Sequence, residues 1–531
     1  MSVKRIIYQM GRFEGSIDEP VNFDIDGKPY LQELSSFALR DHFGKNTKVV
    51  LVYPVSILLN EYALRGIKDK EHLRTFHEKI EGIVTKPEER EKYIKNSWEY
   101  LKEHPHSKKA DDFIVIPSIG EFLGEKFSSP LGNIVLRILI DMIERYKNEP
   151  FDEMYLDISS GHNIYNYALA EAGRLFLTLM KLEDFLKEKD IKVFIAISEP
   201  IIGKPSSDKR YKIFKDFQLD AKGFFYFPEK PQRNNEHAFS EYATKVSETI
   251  KGEEDGKLKG KINDMLYQAY LFYSAIKNNL PLVVYYLCVL KEYRHKGVKE
   301  YRYTADDVKN LLEEIVNLLK QKLDENLKES PDDLNFEDLR KFFMILSLAI
   351  GIIRVLDKHG ICKGIKEGVC LSDIRRLFVE DKSSIYGYFG LKTNIPYLQQ
   401  EIQNNFLDKR RISLITNEWK LLKYILDKPS IWKYCKAELE KLLKYILGKS
   451  KGSSTSINPR NVLAHCGFER NITEVRKTDN GDILIRYTSC YKEPAEEKEK
   501  EKEKKNEYNI LEKIFKRKIV QGVLLEYKHT D

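Results

Sequence analysis

Met154-Tyr155-Leu156-Asp157-Ile158-Ser159-Ser160-Gly161-His162-Asn163 is the stretch whose reading decides the fold of the first part of the chain. An apolar run ends in an aspartate, a Ser/Gly loop follows, and a long helical pattern then runs from 163 to 187. That is the layout of a βα unit. The same layout recurs on both sides of it. Strands are expected at 5–10, 48–53, 113–117, 154–157 and 192–197, with a further helix over 131–146. Each strand candidate is a short apolar run rather than an alternating one, as in a sheet covered on both faces. The pattern predicts a doubly wound α/β domain of Rossmann-like type over the first ~200 residues.

In such sheets ligands bind beyond the carboxyl ends of the strands. A Gly/Ser loop feeding a helix N-terminus suits phosphates. Two strands end this way: the one closed by Asp157, and the one closed by Pro117 and followed by Ser118-Ile119-Gly120. The sequence contains no GxGxxG and no Walker A run, so nicotinamide cofactors and nucleoside triphosphates fit poorly. On the residues alone two readings stand equally. One is a structural βα turn in which Asp157 and Ser159 satisfy backbone amides; the other is a ligand loop.

Residues 201–235 read as a linker carrying one hairpin, 214–219 and 224–227 flanking Asp220-Ala221-Lys222-Gly223, with Pro205, Pro228 and Pro231 as punctuation. From 236 onward the pattern is helical. Helices are expected at 236–251, 262–275, 281–293, 305–327, 336–359, 417–427 and 431–447, each with an apolar stripe. A hairpin is expected at 472–477 and 483–487 around Asn480-Gly481. A Glu/Lys run over 493–507 reads as a solvated segment, and an amphipathic helix and strand are expected over 510–527.

Near the end stands Asn458-Pro459-Arg460-Asn461-Val462-Leu463-Ala464-His465. Asn458 reads as an N-cap and Pro459 as the first helical position. Arg460 then falls in the first turn, where the helix dipole disfavours a cation unless an anion is to arrive there. Asn461 and His465, four apart, share a helix face. Taken by itself the stretch reads equally as an ordinary helix start with a polar face. The same Arg-to-His spacing occurs at Arg65/His72, on a surface-type helix, and at Arg354/His359, where a basic helix C-terminus is explanation enough.

At 531 residues, 32% charged and 42% hydrophobic, the chain should form two or three soluble globular domains. The formal charge of +7 is compatible with RNA or nucleotide ligands. The six cysteines (Cys288, Cys362, Cys370, Cys435, Cys466, Cys490) form no CxxC pair and no zinc-finger spacing, which fits reduced thiols in a cytoplasmic protein. The N-terminus is too short and polar for a signal peptide. The longest apolar run, 342–353, is too short to span a bilayer.

With both motifs in view, the chain resembles the CARF–HEPN ancillary ribonucleases of type III CRISPR systems. The family's sensor motif runs Asp-x-Thr-His-Gly-x-Asn. Asp157, Gly161 and Asn163 match it, Ser159 stands for Thr, and Ser160 takes the His position. The family's ribonuclease motif, Arg followed by a polar residue and then by His, is matched by Arg460, Asn461 and His465. The resemblance implies a sensor domain over 1–200, the linker over 201–235, a helical region over 236–395 and the HEPN ribonuclease over 396–531. It implies a cyclic oligoadenylate activator, most often cyclic tetra-adenylate, bound on the two-fold axis of a homodimer. The implied ligand contacts are Ser159, Ser160, Gly161, His162 and Asn163, with Ser118 and Gly120 as further candidates. The implied nuclease cuts single-stranded RNA without a metal or other cofactor, through the 2′-OH. In it His465 is the acid/base, Arg460 stabilises charge and Asn461 orients. The reading from another class is a ligand-responsive nucleic-acid-binding regulator without nuclease activity, in which the hairpin at 472–487 acts as a wing. A wing needs no histidine upstream.

Overall fold

The computed structural model describes residues 3–14, 17–68, 70–201, 209–221, 223–232, 237–251, 255–289, 303–325, 327, 334–361, 368–380, 383–408, 412–422, 425, 465–468, 470 and 473–487. The helix expected at 431–447, the charged run at 493–507 and the helix and strand expected over 510–527 lie outside them, as do Arg460 and Asn461. The chain divides into two compact units, each assembled from discontinuous segments. One comprises Met1–Gly223, Val246–Glu254 and Asn310–Met344; the other Phe224–Lys245, Asp255–Lys309 and Ile345–Asp531.

The first unit is built on an eight-stranded sheet. Its strands are β1 (Arg5–Met10), the hairpin β2 (Val21–Ile25) and β3 (Lys28–Gln32), β4 (Thr47–Pro54) and β5 (Asp112–Ile116). A separate small hairpin, β6 (Ile119–Phe122) with β7 (Glu125–Ser128), precedes β8 (Glu153–Asp157), β9 (Lys192–Ser198) and β10 (Tyr211–Gln218). The spatial order is β3-β2-β10-β9-β8-β1-β4-β5. Strand β1 is central and parallel to both β4 and β8; β5 and β9 extend the parallel set on either side. The strand order therefore reverses between β1 and β8, which is where a doubly wound sheet opens a crevice. All five strands expected from the sequence are present in this parallel set, and the domain is Rossmann-like as predicted.

The apolar strands follow from burial on both sides. Ile7, Tyr8 and Met10 of β1 are fully buried, as are Met154 and Leu156 of β8. The helices Leu131–Asn148 and Asn163–Glu183 pack together, and the second closes tightly on the sheet at Gly173. A Cβ at that position would stand 2.4 Å from Leu156 Cδ1.

The hairpin expected within 201–235 is not formed. Tyr211–Gln218 instead pairs antiparallel with β9 and continues the main sheet, burying Tyr211 and Ile213 on one side. Phe224–Phe227 makes no strand and belongs to the second unit. There Phe225 and Phe227 pack against Tyr273, and Phe227 also meets Phe239 and Tyr270. The aromatic run expected to form the second arm instead builds an aromatic cluster.

The second unit is mainly helical with a small sheet. Helices Gly256–Lys277, Pro281–Val289 and Asn394–Ile402 accompany the strands β11 (Val369–Cys370), β12 (Lys420–Leu421), β13 (Thr473–Lys477) and β14 (Ile483–Tyr487). The order is β11-β14-β13-β12, all antiparallel. The expected hairpin at 472–487 is present. The helix expected at 417–427 begins instead with strand β12. Trp419 beside it lies beneath the guanidinium groups of Arg476 and Arg486, at 5.1 and 4.0 Å from its ring centre, which holds the segment against the sheet. Among the described residues no helix is long and apolar enough to cross a membrane.

Gly173→Val should cost about 1–3 kcal/mol, because the added methyls must displace Leu156 from a filled interface. The midpoint of urea unfolding measures this; an unchanged midpoint would contradict the tight helix–strand contact.

Candidate functional site

Two clusters of polar side chains stand out, one in each unit. In the first, Asp157 ends β8 fully buried. A buried carboxylate is tolerated only when donors meet it. Ser35 Oγ donates to Oδ2 at 2.6 Å, and both the backbone amide (3.0 Å) and the hydroxyl of Ser159 donate to Oδ1. Burial pushes the Asp157 carboxyl above its ordinary range, opposed by these hydrogen bonds from Ser159 and Ser35.

The network then crosses to β1. Gln9 Nε2 donates to Ser35 Oγ at 2.9 Å and to Ser160 Oγ at 3.0 Å, while its Oε1 accepts from the Ser36 amide. Ser160 Oγ donates to the Met10 carbonyl at 2.9 Å. The serine in the usual histidine position therefore ties the loop after β8 to the end of β1, across the point where the strand order reverses. Gly161 follows with φ +96, and a Cβ there would lie 2.6 Å from Met10 Cβ. Only glycine satisfies both the conformation and the space. The His162 carbonyl accepts from the amides of Tyr165 and Asn166 as the 21-residue helix begins.

The sequence-chosen residues fall into two groups. Gly161, His162 and Asn163 are exposed at the helix N-terminus. Ser159 and Ser160 are half-buried, with their hydroxyls engaged in the network; Ser159 Oγ also accepts from the Ser198 amide at 2.8 Å. Ser118 is fully buried and its hydroxyl accepts from the Ser56 amide at 2.9 Å; Gly120 is exposed with φ +119. The loop after β5 is brought to the loop after β8 by Tyr165, whose hydroxyl accepts from the Ile119 amide at 3.1 Å. Gln9, Ser35 and Tyr165 were not singled out from the sequence. A glutamine inside the apolar run of β1 was the one available signal.

In the second unit His465 stands in a turn rather than within a helix. Its carbonyl accepts from the Phe468 amide at 2.8 Å, and Cys466 (φ 51) and Gly467 (φ 83) turn the chain left-handed just after it. Two consecutive left-handed residues end any helix. His465 Nδ1 lies 3.2 Å from Glu401 Oε2, and the same oxygen accepts from Asn405 Nδ2 at 2.8 Å. Glu401 and Asn405 are four apart where the helix Asn394–Ile402 runs on into a π-helical turn, Gln403–Leu407, a feature frequent at functional sites.

One turn sets the separation of these parts. Asn279, itself left-handed (φ 60), donates from Nδ2 to the Asn394 carbonyl at 3.1 Å and to Cys466 Sγ at 3.2 Å. Asn394 returns hydrogen bonds to the carbonyls of Ile276 and Lys277. The helix that carries Glu401 and the turn that carries His465 are thus latched to the same point. Tyr487 Oη donates to the Gly467 carbonyl at 2.8 Å, which fixes the turn from the sheet side. Burial pushes the Cys466 thiol up to about 12, with the charge of Glu401 adding to the effect, so it is an inert packing group. Of the other Arg/His pairs, Arg65 meets Glu61 and His72 meets Asp18 at the surface, while His359 packs on Tyr388. Among the described residues no group of three or more His, Cys, Asp or Glu side chains is placed to hold a metal ion.

Residues 6–200 match the family model for the CARF domain of the CRISPR system endoribonuclease Csx1, and residues 391–489 match the model for the HEPN domain of the same enzyme. The chain belongs to the CARF–HEPN ancillary ribonucleases of CRISPR systems. No curated protein sequence matches it. The CARF match spans the whole parallel set, from within β1 to just past β9, and contains the Asp157 network. The HEPN match contains Glu401, Asn405, Arg460, Asn461, His465 and the hairpin β13–β14. The chain is therefore a CRISPR-associated ribonuclease regulated by a ligand at its CARF domain.

Two measurements test this account. Asp157→Ala strands the hydroxyls of Ser35 and Ser159 and the Ser159 amide, and should cost about 2–4 kcal/mol in denaturant unfolding. A cost below about 0.5 kcal/mol would show that the network is dispensable. A thiol with its pKa raised to about 12 stays protonated well above neutrality, so Cys466 should resist iodoacetamide at pH 8 in the folded protein and react once unfolded. Peptide mass mapping reads this directly, and fast labelling of the folded chain would contradict the burial.

Proposed function

We propose that the chain is a cyclic-oligoadenylate-activated, metal-independent endoribonuclease for single-stranded RNA, acting in the cytoplasm in type III CRISPR antiviral defence. The observation that carries the nuclease half is the carboxylate-held His465 within the HEPN match. The sensor half rests on the exposed Gly161-His162-Asn163 segment at a helix N-terminus beside the strand-order reversal, within the CARF match.

The activator is cyclic tetra-adenylate, whose symmetry suits a site on the two-fold axis of a homodimer. Its phosphates meet the backbone amides at the start of helix Asn163–Glu183, with His162 and Asn163 contributing side chains. Gly161 allows the backbone to approach, and Ser159 and Ser160 hold the loop from behind. Gly120 belongs to the same rim, and Ser118 supports it through the Ser56 amide.

RNA carries its own nucleophile, so the protein has to position the strand, move protons and neutralise charge. His465 takes the proton from the 2′-OH or returns one to the leaving 5′-oxygen, as a general acid/base does. Arg460 stabilises the charge that builds on the phosphorus oxygens, and Asn461 orients the phosphate. The products are a 2′,3′-cyclic phosphate and a 5′-hydroxyl. Ligand control requires the ligand to favour one state of the dimer over another.

The test is cleavage of labelled single-stranded RNA in EDTA, with and without cyclic tetra-adenylate. The wild type should cut only with the ligand, and His465→Ala should lose at least about 10²-fold in rate, the lower end of what a general acid/base supplies. RNA that binds but stays intact under every ligand would favour the binding-regulator reading instead.

A further inference from the structure

We infer that Glu401 is the positioning residue of the ribonuclease site: it sets the tautomer and orientation of the His465 imidazole, with Asn405 steering the carboxylate. This rests on His465 being the acid/base of the reaction.

The geometry is specific. Glu401 Oε2 is within 3.2 Å of His465 Nδ1 and accepts from Asn405 Nδ2 at 2.8 Å. A carboxylate accepts and cannot donate when ionised, so the nitrogen facing it must carry the proton. In the neutral ring that leaves the lone pair on Nε2, the nitrogen that then takes a proton from a substrate hydroxyl. When the ring becomes imidazolium, both nitrogens donate, and Glu401 meets the new charge at the far side. This is the division of labour between a carboxylate and a catalytic histidine that hydrolases on unrelated folds have reached repeatedly.

The surroundings make the contact a built one. The His465 side chain is 30% exposed and that of Glu401 19%, so the pair is largely sheltered from water yet partly reachable. A surface ion pair would be weakly held. Here the backbone at both ends is fixed, since Asn279 binds the start of Glu401's helix and the Cys466 sulfur in one step. Asn405 is buried and gives its amide to the Glu401 oxygen that faces the histidine. Nothing in the Arg-Asn-His motif announces Glu401, which lies 64 residues earlier in the chain.

The experiment is a double-mutant cycle on the full-length chain with cyclic tetra-adenylate and single-stranded RNA, using Glu401→Gln, His465→Ala and the pair. Glu401→Gln should lower kcat by about 10²-fold with KM within about twofold, as expected when orientation of the acid/base is lost and substrate binding is kept. On the His465→Ala background it should do nothing further, since its effect runs through the ring. Nitrogen-15 spectra of histidine-labelled protein should show the His465 proton on Nδ1 in the wild type and its redistribution in Glu401→Gln. Glu401→Asp, which keeps the charge but shortens the reach, replaces the amide variant if that one fails to fold, with the same kcat-specific loss expected. Full activity in the folded Glu401 variant, or an additive loss in the double variant, overturns the inference. Undiminished cleavage by His465→Ala overturns the role of His465 as the acid/base, and RNA left intact by the wild type overturns the nuclease reading; the cycle registers both separately from the fate of Glu401.

Discussion

A carboxylate with no water around it has to be surrounded by donors, and Asp157 meets that requirement at the centre of the first unit. Ser35 arrives from the helix that follows β3, and Ser159 from the loop after β8. Gln9 then reads the orientation of Ser35 and passes it to Ser160, which is fastened to the end of β1. Three chain segments are thereby fixed to one another at the place where the strand order reverses. The loop can then leave Gly161, His162 and Asn163 exposed without losing its shape, because Ser159 and Ser160 before them are bonded to Asp157 and to the end of β1. Removing one member of such a network leaves its partners buried and unmet, which is why the arrangement acts as a unit.

The parallel sheet was legible because its cause is local. Strands buried on both faces must be apolar throughout, and Arg5–Met10, Glu153–Asp157 and Lys192–Ser198 each show it. Of the strands outside the parallel set, β2 and β3 carry no such signal, and β10, expected over 214–219 as a hairpin arm, takes a different partner. Strand β10 alternates, burying Tyr211 and Ile213 while leaving Lys212 and Phe214 outside, and its neighbour Asp220-Gly223 segment offers a plausible turn. Which partner such a strand takes is decided by the free edge of β9, a fact of tertiary structure. Likewise the start of the helix expected over 417–427 yields to the pairing of Lys420 and Leu421 with β13 and to the stacking of Trp419 under two arginines.

The site was legible where residues are adjacent in sequence and illegible where they meet only in space. The Asp157–Asn163 run and His465 carry short motifs that can be read in one pass. Gln9, Ser35, Asn279 and Glu401 lie far from what they hold, and each is of a type common on surfaces. A single glutamate on a helix carries no sign that it will be turned inward. The π-helical turn after Ile402, which keeps Glu401 and Asn405 on one side, has no sequence signature at all.

The two clusters use the same device to different ends, and exposure separates them. Asp157 is wholly buried and its oxygens accept from the Ser35 and Ser159 hydroxyls and the Ser159 amide, so it locks a loop. Glu401 keeps part of its surface and directs one oxygen to a ring that is itself partly open to solvent. A histidine needs one nitrogen held and the other available in order to pass a proton in a defined direction. Full burial of the pair would deny the substrate; full exposure would let water compete for the carboxylate and release the ring. The intermediate setting of Glu401 and His465, maintained by Asn279 at a distance, is the condition under which a carboxylate can steer an acid/base without taking part in the proton transfer itself.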